Sequence, residues 1–294
     1  MSAGKMHEGE AGVDAALAAR LVAGQFPRWA RLPVRRVPSA GTVNALFRVG
    51  DDLVARLPLV EWGEPDIERE LELLPRLAPL LPTPIPVPVA RGRPGEGYPW
   101  AWSLLQWLPG ENPLPGSVGP DFARDLAALI KALRDVSPQG APPSHRRSLA
   151  PRDAPFRDAL VRARGLVNAA EVTAAWEDAL AAPEHAGPPT WVHADLLPGN
   201  LLARKGRLAA VIDWAAGGIG DPAVDLIPAW SLLAGESREA FRDALAPGEA
   251  EWERGRGWAL SIGIIALPYY LESNPAFASL ARHMVEQVLA ERAA

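Results

Sequence analysis

The sequence predicts an α+β fold in two parts, a small strand-rich N-terminal lobe and a larger helical C-terminal lobe. Three observations predict it. Asn44 to Val49 and Leu53 to Leu57 are short apolar runs joined by Gly50-Asp51-Asp52, a hairpin signal. An aromatic, strand-like stretch from Tyr98 to Trp107 ends at Leu108-Pro109-Gly110, which punctuates the chain. From Asp121 onward the apolar period is helical, interrupted by the short apolar runs of 189–214. The lobe boundary falls at the punctuation, giving lobes of 1–107 and 108–294.

Each element has its own signal. Met1 to Glu10 is polar and is expected to be a disordered tail. Val13 to Gln25 carries Leu17, Leu21 and Val22 at helical spacing. After the hairpin, Pro65 suits the first turn of a helix running to about Leu80. Ile67, Leu71 and Leu74 share one face of it, and Pro75 is expected to kink or divide it. In Leu81 to Val89 every second residue from Pro82 to Pro88 is proline, which forbids a central strand and predicts an extended connector on a surface. Helices are then expected over 121–135, 153–167 and 170–182. The strand-and-loop core of 189–214 follows, and further helices fill 222–234, 237–246, 250–271 and 275–291. No internal repeat is present.

Composition narrows the function. The 294 residues suffice for two modest domains, and an apolar fraction of 48% allows a sizeable core. The formal charge of −5 argues against nucleic acid as the main partner and tolerates a cationic ligand. There is no cysteine, which excludes disulfides, thiolate metal sites and cysteine nucleophiles. The N-terminus has no apolar segment of the secretory kind. The longest apolar stretch, Trp258 to Leu271, is too short and interrupted to span a membrane and predicts a buried helix. The expectation is a cytoplasmic protein with no membrane partner; nothing here sets its oligomeric state.

The chemistry concentrates in Trp191-Val192-His193-Ala194-Asp195, continues to Asn200, and resumes at Val211-Ile212-Asp213-Trp214. Apolar runs flank each polar residue, so Asp195, Asn200 and Asp213 fall at strand ends or in the turns between them. Two carboxylates and an amide at one sheet edge are what magnesium-dependent phosphoryl transfer needs: one carboxylate near an acceptor hydroxyl, an amide and a carboxylate as metal ligands. Asp and Asn also cap strands and turns for structural reasons alone, but the ordered set argues against that for all three.

At these residues the chain resembles the aminoglycoside phosphotransferase family, a branch of the protein-kinase-like fold. That family's pattern runs His-Gly-Asp-x4-Asn, then Ile-Asp-Trp or Ile-Asp-Phe, then Gly-Asp-Pro. Here it stands as His193-Ala194-Asp195, Asn200, Ile212-Asp213-Trp214 and Gly220-Asp221-Pro222, with Asp225-Leu226 just beyond. The resemblance covers nearly the whole chain and implies a bilobal protein-kinase-like fold. It implies an O-phosphotransferase using ATP, or GTP, with Mg2+. The acceptor implied is a small hydroxylated molecule, an aminoglycoside or another antibiotic. A metabolic kinase for an amino alcohol or sugar, and a nucleotide-binding pseudokinase, are the competing readings.

Under that resemblance Asp195 is the expected catalytic base, and Asn200 and Asp213 the expected magnesium ligands. His193 braces the catalytic loop, and Asp221 before Pro222 suits a helix cap. In the small lobe Arg56 stands where protein kinases place a phosphate-binding lysine, with Glu70 its expected partner and Glu68 and Glu72 the other choices. Gln106 and Leu108 bracket the expected hinge, whose backbone groups would meet the adenine edge. Trp100, Trp102 and Trp107 could flank the nucleotide, although core packing suits most of them better. Ser39 to Asn44 falls where a phosphate-covering loop belongs, but with one glycine it does not match Gly-x-Gly-x-x-Gly. The chain departs from the family at Ala194 for glycine, at Leu197 where histidine is common, and at Ala215-Ala216 where relatives carry an acid. It has no His-Arg-Asp and no Ala-Pro-Glu, which argues against a protein kinase.

Overall fold

The computed structural model describes residues 10–38 and 43–293; residues 1–9, where a disordered tail was expected, 39–42 and 294 lie outside them. The chain divides into two compact units. One comprises Met1–Leu80, Pro84–Pro109 and Ala210–Ala215, the other Leu81–Thr83, Gly110–Ala209 and Ala216–Ala294. Asp213 therefore belongs with the first unit and Asp195 with the second.

The first unit opens with α1 (Ala15–Gln25), capped by the Asp14 side chain, which accepts the Leu17 N–H at 2.7 Å. A five-stranded antiparallel sheet follows, in the order β1-β2-β3-β5-β4. Its strands are β1 (Val34–Arg36), β2 (Asn44–Val49), β3 (Leu53–Pro58), β4 (Pro88–Gly92) and β5 (Trp102–Gln106). Between β3 and β4 runs α2 (Glu64–Leu77). The β2–β3 hairpin turns at Gly50, whose φ of +61° suits glycine. Alternate side chains of β2, Ala45, Phe47 and Val49, are buried with Leu17 and Leu21 of α1 and Trp102 of β5. Pro75 lies inside α2 without breaking it, and a 3-10 turn, Ala78–Leu80, ends it.

Two strands depart from the sequence reading. The β1 strand has only three residues, too few for an alternating pattern to register. The β4 strand starts inside the proline run but at the sheet edge, where a missing N–H costs no ladder bond. That run is not wholly on the surface: Ile85 is buried, and the Pro84 carbonyl accepts the Val211 N–H at 3.1 Å. Gly92 of β4 is required by packing, since a β-carbon there would lie 2.0 Å from the Trp102 ring.

The second unit is mostly helical: α3 (Pro120–Arg134), α4 (Asp153–Arg162) and α5 (Ala169–Ala181) precede its strands. Strand β6 (Thr190–Val192) leads to the hairpin of β7 (Leu201–Arg204) and β8 (Arg207–Val211), and β9 (Gly218–Gly220) returns antiparallel to β6. Then come α6 (Pro228–Ser231), α7 (Glu236–Leu245), α8 (Glu249–Tyr270) and α9 (Pro275–Ala293). The α3 helix starts with proline, has Asp121 in its first turn and Lys131 and Arg134 in its last, all of which favour a helix there. It buries Phe122, Leu126, Ile130 and Leu133 along one face. The α8 helix is buried on most sides, as its long apolar stretch predicts, and a β-carbon on Gly263 would lie 2.9 Å from the Ala281 carbonyl of α9. Among the described residues no helix is long and apolar enough to cross a membrane.

Two predicted helices are shorter than their patterns. The expected 153–167 helix ends at Arg162; Gly165, at φ +78°, turns the chain. Leu166 and Val167 kept the apolar period going because they pack against Ala266 and Leu267 after the turn. The expected 222–234 helix is a 3-10 turn, Pro222–Leu226, followed by the single turn of α6. Pro228 has no N–H to carry a continuous helix through that point.

Candidate active site

In the first unit Arg56 projects from the middle of β3. Its guanidinium pairs with Glu70 of α2 through Nη1 and with Asp213 Oδ1 through Nη2, the latter at 2.8 Å. With its amide oxygen turned toward Arg56, Asn44 accepts from Nε at 3.1 Å and Nη2 at 3.0 Å. The Arg56 and Glu70 side chains are 7% and 2% exposed, whereas that of Asp213 is 43% exposed. Burial alone would pull the Arg56 pKa down. The charges of Asp213 and Glu70 outweigh it, so the group is raised and stays cationic. Glu68, one of the alternative partners, pairs with Arg91 instead.

Glu70 does a second thing that spacing did not reveal. Its Oε1 accepts the backbone N–H of Trp214 at 2.7 Å, while the Trp214 indole donates to the Val211 carbonyl at 3.0 Å. The turn carrying Asp213 is thus tied to α2. Asp213 itself has φ +63°, a left-handed conformation that aspartate tolerates better than most residues.

At the expected hinge the Gln106 N–H donates to the Val87 carbonyl at 2.9 Å, and the Trp107 N–H to the Asp52 carbonyl at 2.7 Å. Both donors are occupied, which leaves the Leu108 N–H and the Gln106 carbonyl as the groups to consider. The expected tryptophans serve packing: Trp102 is fully buried, Trp100 packs against the same core, and Trp107 stacks under Arg48. Of the expected phosphate loop, residues 39–42 lie outside the described residues.

In the second unit β6 delivers His193-Ala194-Asp195. Buried Asp225 receives the N–H groups of His193 at 2.9 Å and Ala194 at 2.8 Å. Burial pushes its carboxyl up to about 6, against the pull of those two N–H groups and of Arg134. Ala194 has φ +68°, the conformation for which the family's glycine is suited. The Asp195 N–H donates to His193 Nδ1 at 3.2 Å, which places that ring's proton on Nε2 and makes His193 a brace. Asn200 Nδ2 donates to both the Asp195 carbonyl and Asp195 Oδ2, each at 2.8 Å. Asn112 in turn holds the loop, donating to the Gly199 carbonyl at 2.8 Å and the Leu201 carbonyl at 2.9 Å.

Arg146, unforeseen in the sequence, donates from Nη2 to Asp195 Oδ1 at 3.2 Å. Asp221 has the structural role expected of it. It caps the 3-10 turn through the Ala223 N–H at 3.1 Å and forms a buried ion pair with Arg254 at 3.0 Å. A cavity of about 290 Å³ is lined by Arg147, Leu149, His185 and Arg254, and does not include Asp195 or Asn200.

The donors suit magnesium. Asn200 spends its NH2 on Asp195, so its carbonyl oxygen is the atom left for a cation, and Asp213 presents a half-exposed carboxylate. Among the described residues no group of three His, Cys, Asp or Glu could hold a metal without help. Taken singly, Asn200 and Asp213 are each an oxygen donor of the kind that magnesium takes, an ion that keeps several waters and needs few protein ligands.

The sequence profile of the phosphotransferase enzyme family matches residues 34–258. No curated protein sequence matches the chain. Solved structures share the fold. The GDP and kanamycin complex of an APH(2″) enzyme superposes with TM-score 0.73 at 18% identity, over 93% of this chain and 98% of that one. The streptomycin–ATP–APH(2″)-IIa ternary complex gives 0.60 at 18% identity, over 87% and 91%. Macrolide 2′-phosphotransferase MphH from Brachybacterium faecium gives 0.61 at 23% identity, over 92% and 97%.

Proposed function

The chain belongs to the phosphotransferase enzyme family, and from that premise we propose an ATP- and magnesium-dependent O-phosphotransferase acting on a small hydroxylated molecule. The observation that carries the reading is Asp195. It sits on a turn fixed from below by Asp225 and from the side by His193 and Asn200, with its carboxylate only partly exposed. Such a carboxylate can receive an acceptor hydroxyl and aim its oxygen at the γ-phosphorus. In a loose transition state the proton leaves late, so aim matters more than basicity. Hydrogen bonds from Arg146 and Asn200 fit that, since between them they fix the direction of both carboxylate oxygens.

Arg56, fixed by Glu70, would bind the nucleotide phosphates as a planar fork. Gln106 and Leu108 would meet the adenine edge through the Gln106 carbonyl and the Leu108 N–H. Asn200 and Asp213 would hold magnesium, which when bound neutralises charge on the phosphates. GTP is the alternative donor; the similar structures carry GDP or ATP.

Two of the similar structures hold kanamycin or streptomycin and a third is a macrolide 2′-phosphotransferase, which supports an antibiotic as the molecule phosphorylated. A screen of aminoglycosides, macrolides, amino alcohols and sugars with labelled ATP or GTP tests the proposal. Transfer to any hydroxyl by the wild type, lost in Asp195→Asn, supports it. Nucleotide binding without transfer to any acceptor would favour a pseudokinase and overturn it.

A further inference from the structure

Arg146 is mounted more firmly than a loop arginine needs to be. Its N–H donates to Ser144 Oγ at 3.1 Å, and its carbonyl accepts the Asp221 N–H at 3.2 Å. Ser144 is fastened in turn. Its Oγ donates to the Ala216 carbonyl at 2.8 Å and its N–H to the Ile219 carbonyl at 2.8 Å. Gly220 lets the two segments close, since a β-carbon there would lie 2.6 Å from the Arg146 carbonyl. A backbone pinned on both sides fixes where the side chain starts. Its guanidinium meets Asp195 Oδ1 at 3.2 Å, the two side chains 21% and 26% exposed. Among the described residues Asp195 is the one carboxylate with which Arg146 pairs.

A partly exposed ion pair supports a fold only weakly. This pair stands instead beside the oxygen that reacts. The loop from Asp195 to Asn200 brings no cation of its own, since Leu196, Leu197, Pro198 and Gly199 lie between them. Asn200 holds Asp195 Oδ2, and Arg146 holds Oδ1. An acceptor hydroxyl that docks on Oδ1 shares that oxygen with Arg146. Two donors on one carboxylate oxygen, at ordinary hydrogen-bond lengths, lie roughly 4 to 5 Å apart. The phosphorus that bonds to the acceptor oxygen then brings its outer oxygens within reach of the guanidinium, whose planar fork suits phosphate.

We propose that Arg146 is a catalytic residue that donates to the phosphoryl group being transferred. The inference rests on the phosphotransferase reading, with the acceptor hydroxyl on Asp195, and names the group that stabilises its transition state. A lone pair of the acceptor oxygen forms the new bond to the γ-phosphorus. The bond from that phosphorus to the β,γ-bridging oxygen breaks, and its electron pair leaves with the nucleoside diphosphate. The hydroxyl proton passes to Asp195. Charge on the outer phosphoryl oxygens is met by Arg146, which otherwise pairs with Asp195. The contact belongs to the transition state, so its loss falls on kcat more than on KM.

Two arms test this with the full chain. The first reads ATP turnover with magnesium, water serving as the acceptor. Arg146→Ala should lower kcat by roughly a hundredfold or more, the scale of one lost donor to developing charge, while the KM for ATP moves only a few-fold. Arg146→Lys should keep part of the rate, and millimolar guanidinium chloride should restore part of it to Arg146→Ala. The second arm needs no turnover. Calorimetry follows ADP and magnesium with and without aluminium fluoride, a flat mimic of the phosphoryl group in transfer. Fluoroaluminate should tighten ADP binding to the wild type at least about tenfold, as a transition-state mimic does. Arg146→Ala should lose that gain yet bind ADP with magnesium as the wild type does. It should lose it in an Asp195→Asn background too, where a residue that only steers Asp195 would cost nothing further. No loss in that background, a normal rate in Arg146→Ala, or an equal fluoroaluminate gain in wild type and variant overturns the role of Arg146 and leaves the phosphotransferase reading standing. A wild type that neither turns over ATP nor tightens with fluoroaluminate overturns both.

Discussion

Asp195 is restrained at its backbone N–H by His193, at its carbonyl and Oδ2 by Asn200, and at Oδ1 by Arg146. Replacing it with Asn keeps the shape but forfeits the charge that orients the acceptor. Phosphoryl transfer should fall by roughly two to four orders of magnitude with the fold intact, the scale of a lost positioned group. Steady-state rates and circular dichroism check this, and activity within a few-fold of wild type would exclude the role. Arg56 offers a cleaner partition. Arg56→Ala should raise the KM for ATP more than that for the acceptor, and Arg56→Lys should recover only part, since lysine keeps charge without the fork. Glu70→Gln should resemble a mild Arg56 defect. Because Glu70 and Arg56 touch, the double variant should cost less than the sum of the singles, and additive effects in that cycle would reduce Arg56 to a structural strand residue.

At the scale of elements, Asp225 fastens the end of β6 to the 3-10 turn after β9 through two backbone N–H bonds. Its carboxyl lies at about 6 in the folded protein, raised by burial, against an ordinary value near 4. Between those values the folded chain holds a proton that the unfolded chain releases. This contribution to stability is therefore full below about pH 4, falls as pH rises to 6, and is constant above it. The whole effect is at most about 3 kcal/mol, at about 1.4 kcal/mol per pH unit. Urea unfolding of wild type and Asp225→Asn at several pH values should show the slope between pH 4 and 6 only in the wild type. Parallel profiles would mean that Asp225 titrates normally. Such a clamp joins residues 31 and 32 apart, and no spacing rule announces it. Asp195, Asn200 and Asp213 were legible because each sits within a few residues of a strand end, where local pattern and chemistry coincide. Glu70 was legible as one acid on a helix after a strand arginine. Arg146 and Asn112 were not, because they reach their partners from segments far along the chain. The same division holds for the fold. The β2–β3 hairpin and the long helices follow from local turns and period, whereas three-residue β1 and edge strand β4 exist only because a neighbouring strand pairs with them.

For the whole molecule, the two compact units divide the proposed chemistry, with Arg56, Glu70 and Asp213 in one and Asp195 and Asn200 in the other. Ligand binding stabilises a fold by mass action, about 2.7 kcal/mol at a hundredfold excess over Kd, which for a chain of this size is a Tm rise of roughly 4 °C. ATP with magnesium should produce a rise of that order. Asp213 has two opposing roles in this measurement. Its carboxylate would hold the ion, yet in the ligand-free protein it also neutralises Arg56 at 2.8 Å. Removing it should abolish the magnesium-dependent part of the rise, while freeing one side of the guanidinium for phosphate. Asp213→Ala should then bind ATP without magnesium at least as well as wild type, and gain little when magnesium is added. Asn200→Ala should lose less of the magnesium response, because an amide oxygen contributes a dipole and not a full charge. It should also slow transfer by loosening Asp195, which takes two hydrogen bonds from the Asn200 amide. Calorimetry with ATP, with and without magnesium, separates these effects. An unchanged magnesium dependence in both variants would remove the pair from the metal site, and weaker magnesium-free binding in Asp213→Ala would mean that Asp213 serves chiefly to hold Arg56 in place.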